Sequence, residues 1–185
     1  MDQGLNLSLG MRVLVGGKEV YRNDDDPLLI AFIDILWQAH QASSTVSVYD
    51  TSNQSRNISN NPAMRADASD GTTNYGIVVG AGQTAVSITN YKLGSQFGHG
   101  VGSNQLLHGP CMVSSAVTVG TTTRYVTVDR MFSNVSGAQI TVYEVGLYVY
   151  GGSYYFCFAR DLISGGAAIP NGEIMAVQYR FSVTV

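Results

Sequence analysis

From Ile174 to Val185 the chain alternates without a break. Ala176, Gln178, Arg180, Ser182 and Thr184 form one set, and Val177, Tyr179, Phe181, Val183 and Val185 the other. A period of two places such sets on opposite faces of a strand, one turned to a core and one away from it. The same period recurs upstream. Leu5, Leu7 and Leu9, then Val13 and Val15, run into Gly16-Gly17 and Lys18-Glu19-Val20-Tyr21, the pattern of a hairpin. Tyr75–Val79, Ala85–Tyr91, Met112–Val119, Tyr125–Phe132, Gln139–Tyr150 and Tyr154–Ala159 read as further strands. Turns separate them at Asn134-Val135-Ser136-Gly137, Gly151-Gly152 and Pro170-Asn171-Gly172. Short strands punctuated in this way predict a mainly β protein, an antiparallel β-sandwich of jelly-roll-like form.

One segment breaks the period. Asp24-Asp25-Asp26-Pro27 is the expected start of a helix, with an N-cap carboxylate and proline in the first turn. It lacks the alternating acidic ligands and glycine of a calcium loop. The helix is predicted to run from about Pro27 to Gln41, with Asp34, Gln38 and Gln41 as one narrow polar stripe. The remainder, Leu28, Leu29, Ile30, Phe32, Ile33, Ile35, Leu36 and Trp37, is too wide an apolar surface for one sheet to cover. Leu28, Leu29, Phe32, Ile33, Leu36 and Trp37 are therefore expected to form an assembly interface. A polar stretch from 51 to 74 follows and reads as a loop or an arm reaching across a neighbour. The expected organisation is residues 1–50 as hairpin, helix and strand, 51–74 as the arm, and 75–185 as the sandwich, with 1–50 joining it in one compact domain.

Charge sharpens this picture. Between Gly71 and Thr123 the only charged side chain is Lys92, and between Met131 and Ala159 it is Glu144. A solitary sheet protein places Lys or Glu on exposed strands to prevent edge-to-edge pairing. Their scarcity predicts surfaces that neighbouring subunits cover. Of the 185 residues only 12 % are charged and the net charge is −3, which provides no basic footprint for nucleic acid. No apolar run approaches the ~20 residues that cross a bilayer, and the N-terminus lacks a signal-peptide pattern. Cys111 and Cys157 read as small buried apolar residues rather than a bridge.

No catalytic constellation emerges, and neither a cofactor nor a metal is expected. Gly80-Ala81-Gly82-Gln83-Thr84-Ala85 matches a dinucleotide fingerprint, but a β-alternating run follows where the mechanism needs a helix. A hairpin turn is the expectation there. His99 and His108 sit on glycine-rich segments without zinc-like spacing. Asp129-Arg130 and Arg160-Asp161 are adjacent opposite charges in otherwise uncharged strands, and strand neighbours face opposite ways. Each therefore needs a partner from elsewhere. Arg130 with Asp161, or Arg160 with Asp129, is the expected structural bridge, and Glu144 is the other candidate partner. The tyrosines Tyr143, Tyr148, Tyr150, Tyr154 and Tyr155 offer faces that can stack on sugar rings. They carry the alternative reading of a carbohydrate- or receptor-binding module.

The blocks Tyr75-Gly76-Ile77-Val78-Val79-Gly80, Asn90-Tyr91-Lys92-Leu93 and Arg130-Met131-Phe132-Ser133-Asn134-Val135-Ser136-Gly137 resemble structural proteins of tailed-bacteriophage particles. So does Ile140-Thr141-Val142-Tyr143-Glu144-Val145-Gly146-Leu147-Tyr148, followed by Ala159-Arg160-Asp161. The likeness spans roughly 75–185. It implies a non-enzymatic virion component: a head decoration, a collar or connector, or a tail subunit. Its partners would be copies of itself and other virion proteins such as capsid, portal or tail subunits, and it would be assembled in a host cytoplasm. No membrane or direct nucleic-acid contact is implied.

Overall fold

The computed structural model describes residues 6–26, 28–39, 45–58 and 63–185. The protein is mainly β, with several sheets and one short helix. The N-terminal hairpin forms as the alternation predicts: β1 (Asn6–Val15) turns at Gly16-Gly17 into β2 (Lys18–Asn23). Both glycines of that turn have positive φ, 54° and 77°, which a side chain would strain. Helix α1 spans Ile30–Ala39, shorter than the pattern suggests, and Pro27, His40 and Gln41 lie outside the described residues. The short strands β3 (Val46–Tyr49) and β4 (Ser55–Ile58) form a hairpin of their own.

The rest of the chain supplies β5 (Gly76–Gly80), β6 (Gly98–His99), β7 (Gln105–Val113), β8 (Val117–Val119), β9 (Thr123–Ser133), β10 (Ile140–Gly151), β11 (Tyr154–Ile169) and β12 (Ile174–Thr184). They build two sheets. The larger has the order β2-β1-β12-β9-β7-β6, with β8 also on β9, and the smaller has the order β11-β10-β5. Strand β1 pairs with β12 along its full ten residues, so the N-terminal hairpin is an integral part of the larger sheet. One core joins the two sheets. Leu9, Met11, Val13, Val128, Phe132, Met175, Val177 and Tyr179 from the larger meet Ile77, Val79, Val142, Val145, Leu147, Ala159 and Ile163 from the smaller. The alternation of β12 is thereby explained: Val177 and Tyr179 point inward, while Gln178 and Arg180 face out.

Three expectations are corrected. Ala85–Tyr91 is not a strand, and no hairpin follows Gly80. Residues 81–97 form an irregular loop laid over the outer side of the smaller sheet. Asp26 does not cap the helix, which starts four residues later. Its N–H bonds Leu9 O at 2.7 Å and its carboxyl is buried. The 51–74 stretch is not a free arm where it is described. Ser55–Ile58 is strand β4, Arg65 bridges Tyr150 in both directions, and Ala68 is buried in the core.

Both cysteines are free and buried. Cys111 belongs to the inter-sheet core, and Cys157 packs with Leu29, Val78, Leu93 and Tyr148 on the smaller sheet's other side. Burial pushes both thiols up, as it does for any group whose charged form loses its hydration.

Candidate functional site

The charged residues that the sequence singles out are built into the interior, each in its own way. Arg160 pairs with Glu144, with Nη2 and Nε donating to Oε2 at 2.9 and 3.0 Å, and both side chains are buried. Glu144 also accepts the backbone N–H groups of Gly82, Gly94 and Ser95 at 2.9, 2.9 and 2.7 Å. The remaining donors of Arg160 reach Thr84 O, Ala85 O and Asn90 Oδ1. One ion pair from two neighbouring strands therefore folds the whole 81–95 loop. Glycine is required at 82, because a Cβ there would run into the clamped carboxylate of Glu144.

Among the described residues no carboxylate bonds Arg130. Its guanidinium donates to the carbonyls of Gly109, Ile77 and Thr72 at 2.8, 2.8 and 2.6 Å, and more weakly to Tyr75 and Ser69. Five carbonyl dipoles thus stand in for a counter-charge, and desolvation draws its pKa down. The expected Arg130–Asp161 and Arg160–Asp129 bridges do not form. Asp129 instead faces out and accepts Gln178 Nε2 at 2.6 Å and Thr127 Oγ1 at 2.7 Å. Asp161 faces inward and accepts Tyr179 OH at 2.6 Å. On its other side stands Asp26, a residue the sequence reading assigned to a cap. Desolvation, the Asp161 charge and a shared hydrogen bond push Asp26 up to about 9.

The tyrosines are largely engaged within the molecule. Tyr148 is buried, and its hydroxyl accepts Leu93 N–H at 2.5 Å. It is unavailable to a ligand. Tyr150 and Tyr155 cluster with Tyr75, at centroid distances of 5.7 and 6.1 Å, and with each other at 5.4 Å. Tyr154 lies beneath Arg56, 4.3 Å away. Tyr150, Tyr154 and Tyr155 therefore stack on another ring or on a cation. His108 is also buried: its Nδ1 bonds Leu106 O at 2.9 Å, and its ring meets Phe132 edge-on. Desolvation and the Arg130 charge hold it down at about 4, so it is neutral.

The apolar helix is divided between core and surface. Leu29 is fully buried, and Leu28 half-buried as it bridges Ala159. Phe32 inserts between the sheets, 5.4 Å from Phe158 and 6.2 Å from Phe181. Leu29 thus leaves the predicted interface, while Leu28 and Phe32 pack within the chain and stay partly exposed. Ile33 and Leu36 stay exposed beside Ile30, and the side chain of Trp37 lies outside the described residues.

A second apolar surface was missed by the sequence reading. Across β1, β12 and β9 the register places Leu14, Ala176 and Met131 in one outward row, with Ile174 beyond it and Met112 on β7 beside it. Met131 is 61 % exposed, Met112 64 % and Ile174 47 %. Two shallow hollows, of about 230 and 440 Å³, lie along this row and share Leu14, Met131 and Ala176. The signal was present: Leu14, Met131, Ile174 and Ala176 are apolar at positions that alternation assigns to the outside.

Among the described residues no three His, Cys, Asp or Glu side chains group closely enough to hold a metal ion. Among the described residues no helix is long and apolar enough to cross a membrane. A scan against protein-family models, a search of curated proteins and a search of solved structures each return no match.

Proposed function

We propose that this chain is a non-enzymatic structural subunit of a tailed-bacteriophage particle. In this reading it is a jelly-roll-like β-sandwich that assembles through uncharged β surfaces and the outer side of its helix. The observation that carries the reading is the apolar half of the larger sheet's outer face. Met112, Met131 and Ile174 stand in solvent around Leu14 and Ala176, with no lysine or glutamate at those five positions. A sheet face of this kind resembles an interface rather than a solvated surface. Seating those side chains against a neighbour would contribute ~1.5–3 kcal/mol for each one fully covered. The helix adds Ile30 and Ile33, next to Ile88 of the 81–95 loop, whose carbonyl accepts Ile30 N–H at 3.1 Å. The resemblance of residues 75–185 to phage structural proteins supplies the particle.

The test is sedimentation of the isolated protein across a hundredfold concentration range. The wild type is expected to associate. Met131→Glu should yield monomer with an unchanged far-UV spectrum, because residue 131 points away from the core. A wild type that stays monomeric throughout would overturn self-assembly.

A further inference from the structure

The outer face of the larger sheet changes character along its length. Beyond the apolar row, successive rows across β1, β12 and β9 read Arg12–Gln178–Asp129, Gly10–Arg180–Thr127 and Ser8–Ser182–Tyr125. A groove of about 430 Å³ lies over this polar half, and Arg12, Arg22, Arg180, Gly10, Ser8 and Ser182 are among its walls.

The state of Arg180 separates it from an ordinary wet strand surface. Gly10 stands directly across from Arg180 but is covered by the Asn23–Asp24 backbone, and the Arg180 guanidinium turns the other way, toward β9. That guanidinium lies over the Tyr125 ring, 3.9 Å from its centroid. It also has no hydrogen-bond acceptor among the described residues. The other arginines are matched. Arg12 and Arg22 meet Glu19, Arg56 meets Asp50, Arg65 meets Asp67, and Arg160 meets Glu144. Arg130 holds five carbonyls, and Arg124 reaches the Thr118 hydroxyl. A carboxylate is close by, since Asp129 occupies the adjoining row on the neighbouring strand, within reach of a long side chain. Neutral donors from Gln178 and Thr127 hold it instead. The planar fork of Arg180 is thus left open, and such a fork suits a carboxylate or sulfate. On the far wall Arg12 and Arg22 are matched by Glu19 and Asp24, so the unmatched positive charge of the groove is that of Arg180. Hydroxyl pairs line the groove, Ser8 with Ser182 at 2.9 Å and Thr123 with Thr184 at 3.3 Å. Each hydroxyl can both donate and accept.

We propose that this groove binds an acidic polysaccharide. A carboxylate or sulfate of the glycan seats on Arg180, and sugar hydroxyls bond Ser8, Ser182 and the free Oε1 of Gln178. The groove adjoins the apolar half of the same face, sharing Arg12 and Gln178 with the smaller hollow there, and glycan binding in it does not rest on the assembly reading.

Calorimetric titration of the full chain tests it, with polygalacturonate, heparin, neutral dextran and a thymidine oligonucleotide as probes. At least one acidic glycan should bind and dextran should not. Arg180→Gln should weaken that binding at least tenfold, and Arg180→Lys should restore only part of it, because a point charge lacks the fork. Both substitutions are on an exposed side chain, and an unchanged melting temperature checks that the fold is intact. The proposal is overturned if no acidic glycan binds, if dextran binds equally, or if Arg180→Gln binds as the wild type does. It is equally overturned if the oligonucleotide matches the glycans, since that would be attraction to any polyanion.

Discussion

Two carboxyls in contact inside a protein cannot both carry charge, and Asp26 and Asp161 obey that rule. Both are buried, and Asp26 Oδ2 has no donor facing it. A proton kept on Asp26 resolves this by turning an acceptor without a donor into a donor toward Asp161, which in turn accepts the Tyr179 hydroxyl. The other groups around the pair are Asn23, whose amide donates to Asp26, Asp25 beside it in the chain, Arg160 beside Asp161, and Tyr21, raised by burial and by both carboxyls. The consequence is a pH dependence of defined sign. Asp26 rises from 3.8 unfolded to about 9 folded, so the folded state holds the extra proton in that window and its stability falls as pH rises through it. His108 acts oppositely. Its shift from 6.5 to about 4 makes stability rise with pH between those values. The two slopes offset one another from about 4 to 6.5, and above that the raised carboxyl pair dominates until, near 9, the raised thiols add a slope of the same sign. Denaturant titrations should therefore show a near-plateau, then a decline toward pH 9 of at most ~1.4 kcal/mol per pH unit. In Asp26→Asn the amide supplies the donor without a titration. That variant should lose the decline and exceed the wild type at pH 8.5 by ~1–3 kcal/mol. Parallel curves for the two proteins would show that the proton resides elsewhere.

The 81–95 loop shows how an element can depend on residues far away in the chain. Val86 and Ile88 alternate with Ser87 and Thr89, and by local pattern the segment is a strand. It is irregular because Glu144, some fifty residues on, gathers three of the loop's N–H groups, and Arg160 gathers two of its carbonyls. Glu144→Gln removes the charge that balances Arg160 and presents an amide to a site arranged for an anion. The expected cost is ~3–5 kcal/mol, the range for breaking a buried pair from one side. Hydrogen exchange should report it locally, with faster exchange at Gly82, Gly94 and Ser95 than at β12; uniform acceleration would indicate global loss of fold. The same contrast explains what the sequence reveals. The hairpin at Gly16-Gly17 and the strand 174–185 depend on turn residues and a period of two, both local. Glu144 was legible as a candidate partner because so few charges were available, although its pairing with Arg160 was not. The Asp26–Asp161 pair, the carbonyl cage of Arg130 and the mutual stacking of Tyr75, Tyr150 and Tyr155 depend on which strands become neighbours, and no local pattern encodes that. The helix was too long by several residues for the related reason that Leu28 and Leu29 take strand-like bonds to β11 before the first turn begins.

For the whole molecule, the question is where chain meets chain, and the two margins of the larger sheet are built differently. On β2, Lys18, Glu19 and Arg22 give the outer strand charges of both signs, cross-linked through Arg12, which is the usual defence against a further strand. The opposite margin has none. Strand β8 pairs only with β9, its three residues are all exposed, and from Pro110 to Thr123 there is no charged side chain. Ser114-Ser115-Ala116 interrupts the ladder between β7 and β8, which bends this margin but does not cover it. Val117 and Val119 stand on the same outward side as Tyr125, continuing the face that carries Met131. A margin so bare is where strand addition between subunits would begin. Val119→Lys therefore separates association from folding. The residue is 53 % exposed and packs on nothing in the core, so its replacement should leave monomer stability within ~0.5 kcal/mol. A lysine on an open strand repels a second copy, so association measured by light scattering should fall sharply. If Met131→Glu dissociates the protein and Val119→Lys does not, the contact is face to face through the apolar row. If only Val119→Lys acts, the subunits join strand to strand. If neither substitution alters the associated state, the larger sheet is not the contact surface, and the exposed side of α1 around Ile30 and Ile33 is the next to test.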